Sequence, residues 1–192
     1  RITAAGDTVM SWAKGGDDVA NILANIATEK DFNTLCDMLE KGKSVDLLSK
    51  AIGKSLEAKP VAEQVKLISE RAAKAGQNKH YYYPSLAATG SADVIATLVD
   101  GYKDGNKDGY AFDGMLQIAD DAILPHLFEV ATTNADLKSK ALARYIALVP
   151  ASKLRPEMKY MNLRRAIETN PAVAQKNAAL TALAQANFKG NV

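Results

Sequence analysis

The chain has 192 residues and a nearly balanced charge, 24 Lys and Arg against 22 Asp and Glu, for a net +2. Apolar residues make up 47% and charged residues 24%, the proportions of a folded globular chain, which excludes wholesale disorder. The charge balance sets aside an obvious polyanion binder, and no apolar run approaches the ~20 residues that a membrane-spanning helix needs.

Strand-like alternation is nearly absent, and apolar residues recur at helical spacing. Val19, Ile22, Leu23 and Ile26 make a first stripe. Phe32, Leu35, Cys36 and Leu39 make a second, and Val45, Leu48, Ala51, Ile52 and Leu56 a third. Val61, Val65, Ile68 and Ala72 follow. The spacing then predicts helices over 79–88, 92–102, 108–118, 121–132, 135–148, 154–168 and 171–186. The breaks between them carry stop-and-start chemistry. Asp17 after Gly15-Gly16 suits an N-cap, because its carboxylate can accept from the free N–H groups of a first turn. Gly42 and Ser44 read as a glycine stop and a serine cap, and Gly90-Ser91 repeats the pattern. Pro60 suits a first turn, where its missing N–H costs nothing. Asn134 and Asn170 are each placed to cap a following helix. Pro125 conflicts with a helix already running at 121 unless that helix starts late or kinks. The expectation is an all-α chain of eleven or twelve helices of one to four turns, with loops short enough to lay neighbours antiparallel.

The second half is self-similar. Val94, Leu98, Val99 and Tyr102 recur 29 positions later as Ile123, Leu127, Phe128 and Ala131. By the same step Phe112, Leu116 and Ile118 map to Ala141, Tyr145 and Ala147. Residues 86–149, LAATGSADVIATLVDGYKDGNKDGYAFDGMLQIADDAILPHLFEVATTNADLKSKALARYIALV, carry this pattern and resemble HEAT-like helical repeats. That resemblance is clearest over 80–150 and extends to 17–76 and 153–188. It implies a right-handed α-solenoid of stacked antiparallel helix pairs, with 1–192 as a single helical-repeat domain. In such a stack each pair buries its apolar face only against its neighbours.

DGNKDGYAFDGM, residues 104–115, reads at first like a calcium loop. Asp104, Asn106 and Asp108 hold loop positions 1, 3 and 5, and Gly109 holds position 6. Position 12, which should be a bidentate Glu, is Met115, and position 8 is Ala111. Asp113 is out of place to substitute. The stretch therefore reads as a helix-hairpin turn in which Gly105 stops one helix and Asn106 or Asp108 caps the next. His80-Tyr81-Tyr82-Tyr83-Pro84 is the aromatic candidate. Consecutive tyrosines on a helix point about 100° apart, so at least one faces solvent and offers a contact for a protein or a sugar ring. The bland alternative packs two of them between helices with their hydroxyls satisfied. Lys153, Arg155, Lys159, Arg164 and Arg165 make a basic concentration, with 155 and 159 on one helix face. Its two readings are an anionic contact and a solvated surface. Tyr81, Tyr82, Tyr83, Arg155 and Lys159 are the candidate partner contacts. His126 lacks ligands at metal spacing, and the adjacent Asp120-Asp121 reads as a helix cap. Cys36 sits on an apolar stripe and reads as a buried, inert thiol. Trp12 reads as packing at a helix end.

No catalytic, cofactor or metal residue is expected. The resemblance implies an interaction or scaffold module whose partner is another protein or a neighbouring domain of its own chain. By analogy it also implies a segment of a larger multi-domain bacterial protein, leaning to the periplasm or cell envelope. The chain opens Arg1-Ile2-Thr3 without Met, which fits a piece of a longer protein. The alternative is an enzyme of the DNA-repair glycosylase type, some of which are built of HEAT-like repeats, or another nucleic-acid binder. Such a protein calls for a strongly basic face, which a net +2 disfavours.

Overall fold

The computed structural model describes residues 17–185, and the readings placed on Trp12 and on the side chains of Asp17 and Val19 lie outside what it describes. The described residues are all-helical. They form eleven α-helices joined by short turns, five of which are single 3₁₀ segments, and contain no strand. They gather into two compact units, one up to Gln117 and one from Ile118 onward. No helix among them is long and apolar enough to cross a membrane.

The first unit holds α1 (Asp17–Ile26), α2 (Phe32–Leu39), α3 (Val45–Ser55), α4 (Val61–Lys74), α5 (Tyr83–Ala88), α6 (Ile95–Lys103) and α7 (Tyr110–Gln117). The stripes bury for the most part, though Ile22 and Val61 are exposed and Ile26 and Val65 only half-buried. Leu23, Leu35, Leu39, Leu48, Ile52, Leu56, Ile68, Leu86, Leu98 and Met115 are all fully buried, each stabilising the fold by roughly 1.5–3 kcal/mol before the entropy of ordering is set against it. Packing follows two rules. Consecutive helices touch, as α2 with α3 and α6 with α7. Alternate helices touch as well, α1 with α3, α3 with α5 and α5 with α7. The second unit holds α8 (Leu124–Thr133), α9 (Lys138–Ala151), α10 (Pro156–Glu168) and α11 (Val173–Gln185). There α8 packs on α9, α10 on α9 and α11, and α9 on α11.

The helix boundaries resolve several of the sequence expectations. α6 and α8 do not begin where their apolar spacing begins. Each is led in by one 3₁₀ turn, Ala92–Val94 and Asp121–Ile123. Ser91 Oγ accepts from the Asp93 N–H at 3.2 Å, and Asp120 Oδ1 accepts from the Ala122 N–H at 2.9 Å. So the same cap, 3₁₀ turn and helix start recur 29 residues apart, with Val94 and Ile123 buried at matching places. The late start also accommodates Pro125. It falls in the first turn of α8, where no N–H is needed. The partner helices match less well. Phe112 and Ala141 are both buried, but Ile118 is buried beyond the end of α7 whereas Ala147 is exposed on α9. Asn134 Oδ1 accepts from the N–H groups of Asp136 and Leu137 at 3.1 Å, so it caps the turn 135–137 that leads into α9, whose own N-cap is Leu137. Asn170 does not cap a following helix. Its φ of 54° makes it the left-handed stop of α10, with its N–H on the Ile167 carbonyl. Pro60 stands one residue outside α4, as its N-cap.

Candidate functional site

The turn between α6 and α7 is built from four left-handed residues, Gly105, Asn106, Asp108 and Gly109, with φ of 104°, 49°, 55° and 78°. Asn106 Oδ1 accepts from the Phe112 N–H at 3.0 Å and so caps α7. The two aspartates that suggested calcium are turned onto Lys79 and His80. Asp104 Oδ2 accepts from Lys79 Nζ at 2.9 Å, and this hydrogen bond holds the Lys79 ammonium above its ordinary pKa. Asp108 Oδ2 lies 3.0 Å from His80 Nε2, close enough for an ion pair with a protonated ring but not aligned as a hydrogen bond. The other ring nitrogen, Nδ1, donates to the Gln77 carbonyl at 2.9 Å. The loop is therefore clamped onto the 3₁₀ segment Gly76–Tyr82. Among the described residues no group of three or more His, Cys, Asp and Glu side chains converges as a metal set.

The tyrosine trio divides the same way. Tyr82 is fully buried, and its hydroxyl donates to Glu40 Oε1 at 2.6 Å. Arg71 Nη2 donates to the same Glu40 oxygen at 3.0 Å and to Asp37 Oδ1 at 2.6 Å. Burial, then the bond to Glu40, pushes the Tyr82 phenol well above its ordinary value. Cys36 lies beside this network and is fully buried, and burial pushes its thiol up to about 11, which makes it a poor nucleophile. Tyr83 is buried too, with its ring laid over Gly101. Only Tyr81 is half-exposed, and it is engaged: its ring sits 4.0 Å from that of His80 and 6.2 Å from that of Tyr110, over Gly42. The trio is thus an inter-helix packing element more than a free aromatic face. The sequence placed Tyr82 and Tyr83 among candidate contacts, and their burial takes them out of reach of a partner.

The basic residues lie in the second unit. Arg155 is exposed at the N-cap of α10. Lys159, one turn on, donates to the Pro150 carbonyl at 2.9 Å near the end of α9. Arg164 pairs with Glu168 at 2.9 Å, and Arg165 lies 4.4 Å over the Phe128 ring. His126 is half-buried, 4.0 Å from Glu129. Asp120 caps as described, and Asp121 Oδ2 accepts from the Lys153 N–H at 2.7 Å. A signal missed in the sequence becomes plain here. The overall +2 conceals a division, because residues 138–185 hold nine Lys and Arg against two Glu. The bonds made by Lys138 and Lys159 are to carbonyl oxygens, of Thr169 and Pro150, which leave their charge unbalanced. Summing charge by segment would have found this.

α10 and α11 leave much apolar surface uncovered. Seven large apolar side chains are exposed among the described residues, and five of them, Met158, Tyr160, Met161, Val173 and Leu180, belong to α10 and α11. Between α9 and α11 runs an open groove of about 490 Å³, lined by Ala143, Ala147 and Pro150 on one side and Ala174, Ala178 and Ala182 on the other. Ile146, Gln175, Thr181 and Gln185 also line it. A smaller hollow of about 210 Å³ continues it past Pro150 to Lys159 and Leu163. One end is closed where Gln175 Nε2 donates to the Ser139 carbonyl at 2.6 Å. Comparison with known protein families, with curated proteins and with solved structures finds no match to this chain.

Proposed function

We propose that this chain is a non-catalytic protein-interaction or scaffold module, a HEAT-like α-solenoid whose contact surface lies on α9–α11. The observation that carries the reading is the concentration of exposed apolar side chains on α10 and α11 beside the open, alanine-lined groove. Exposed apolar surface of this kind, rimmed by charge, marks contact sites. Two features support the solenoid: helices packing on their second neighbours within each unit, and the cap, 3₁₀ turn and helix start that recurs at a 29-residue step. Small residues on facing helices allow the close approach that stacking needs.

The test is site-specific photo-crosslinking in a lysate of the source organism. A photoreactive residue at Ala178 should capture discrete proteins, and one at Lys66, exposed on α4 of the first unit, should not. Equal capture from both positions, or none from Ala178, overturns the assignment. A second reading, a nucleic-acid contact, draws on the nine cations of residues 138–185. It requires a gel shift that weakens steeply with salt.

A further inference from the structure

The groove between α9 and α11 has a shape and a charge that select an occupant. Five of its lining residues are alanines, so a backbone can approach closely, and the aliphatic Ile146 lines it beside the polar Gln175, Thr181 and Gln185. The stretch of α9 from Ala143 to Pro150 spans two helical turns, about 10 Å, which matches anchors at i, i+3 or i+4, and i+7 of a docked helix. The cations stand at the margins of the groove. Lys140 is exposed one turn before Ala143, and Lys159 lines the hollow that continues from Pro150, with exposed Arg155 and Lys153 on the preceding residues. The two acidic residues of the segment, Glu157 and Glu168, line neither the groove nor the hollow.

We infer that this groove receives an acidic amphipathic helix from a partner protein, with aliphatic side chains seated between α9 and α11 and carboxylates directed at the Lys140 and Lys159 ends. This rests on the interaction-module reading above and adds to it the chemistry of the partner. Nucleic acid is the poorer match, because the cations bracket a trough walled by five alanines, whose polar lining is limited to Thr181, Gln185 and the Gln175 amide already donating to Ser139. An anionic membrane would engage the projecting side chains of α10 and α11, such as Met158 and Met161, and leave the recessed groove between α9 and α11 empty.

The test uses the whole chain and a labelled synthetic helix of about five turns. Leu occupies one stripe of the probe and Glu the remaining positions. A counterpart carries Lys at every Glu position. Fluorescence anisotropy should show the Glu helix binding at least about 10-fold tighter than the Lys helix, with affinity falling as salt rises. Ala147→Glu and Ala178→Glu, both at exposed positions, should each weaken binding about 10-fold while leaving the circular dichroism melt unchanged. Lys140→Glu should weaken the Glu helix and strengthen the Lys helix. Equal affinity for both helices, binding of neither, or indifference to Ala147→Glu and Ala178→Glu overturns the inference. So does tighter binding of a DNA duplex or of phosphatidylglycerol vesicles with the same sensitivity to Ala178→Glu. If crosslinking from Ala178 captures a protein but the Glu helix shows no preference, the module reading stands and the acidic-helix inference fails. If crosslinking also captures nothing, both fall.

Discussion

Gly53 and Gly101 lie inside α3 and α6 and invite the same substitution, with opposite results. In a helix interior Ala is better than Gly by about 1 kcal/mol, because Gly loses more backbone freedom on folding. At Gly53 nothing lies within 4 Å of the added methyl, so Gly53→Ala should gain close to that amount. At Gly101 the methyl would lie 2.5 Å from Cε2, 2.6 Å from Cζ and 2.7 Å from Oη of Tyr83. Carbon contacts prefer about 3.5–4.0 Å, so the ring must move by roughly 1 Å. Tyr83 is 3% exposed and cannot swing freely into solvent. Overpacking of this kind costs about 1–3 kcal/mol, which outweighs the propensity gain. Both variants gain the propensity term, so they should differ by the overpacking cost, about 1–3 kcal/mol, in urea unfolding at constant m-value. A Tyr83→Leu background should recover much of the Gly101→Ala loss. Gly101→Ala proving as stabilising as Gly53→Ala would refute the packing of Tyr83 on α6.

Tyr82→Phe should cost about 1 kcal/mol for the lost bond to Glu40, and Tyr82→Ala about 3–5 kcal/mol as a core truncation, both read by urea unfolding. A Tyr82→Ala chain as stable as the parent would contradict its burial. Calorimetric titration with calcium should show no binding tighter than about 1 mM, because Asp104 and Asp108 face Lys79 and His80, and a micromolar site would refute that clamp. Stability should fall in alkali. Burial raises Cys36 from 9.0 to about 11 and Tyr145 from 10.0 to about 12, so the folded chain keeps protons that the unfolded chain has released. Their stabilising contribution is complete below pH 9 and is lost as pH rises from 9 to 12, at about 1.4 kcal/mol per pH unit for each group inside its window. Tyr145→Phe should flatten the upper part of that profile, and a parent profile level to pH 11 would count against the burial of both groups.

The parts of the fold legible in the sequence are those decided within one or two helical turns. Apolar stripes such as Phe32, Leu35, Cys36 and Leu39 bury as their spacing dictates, and Ser91, Asp120 and Asn134 cap because a short polar side chain meets free N–H groups a few residues on. The 3₁₀ lead-ins were not legible, since a 3₁₀ turn and the first turn of an α-helix share their i+3 spacing. The sequence left the tyrosine trio open between a packed and a contact reading, for a different reason. The Tyr82 hydroxyl is satisfied by Glu40, 42 residues away, and the Tyr81 ring lies over Gly42, so no local pattern could separate the packed rings from a free one. The basic segment was legible only in part. Arg155 and Lys159 were visible, but an acidic remainder of the chain offset the basic segment in the total.

The weakness of the last two helices is the link between this fold and its proposed use. α10 buries only Leu163 and Ala166, and α11 only Ala179 and Ala182. A buried alanine contributes far less than the 1.5–3 kcal/mol or so of a buried leucine, while each ordered residue of α11 loses backbone entropy worth about 1–2 kcal/mol. α9, of similar length, buries Leu142, Tyr145, Ile146, Leu148 and Val149. Local stability should therefore fall from α9 to α11. Hydrogen exchange followed by mass spectrometry should find α11 amides opening at least about 10-fold more often than those of α9, a difference of about 1.4 kcal/mol. A ligand seated between the two helices would cover Ala174, Ala178 and Ala182 and slow exchange in α11 selectively. If α11 were protected as strongly as α9 in the free chain, the groove would be a finished surface with little to gain from cover. That result would remove the energetic reason for placing the contact there.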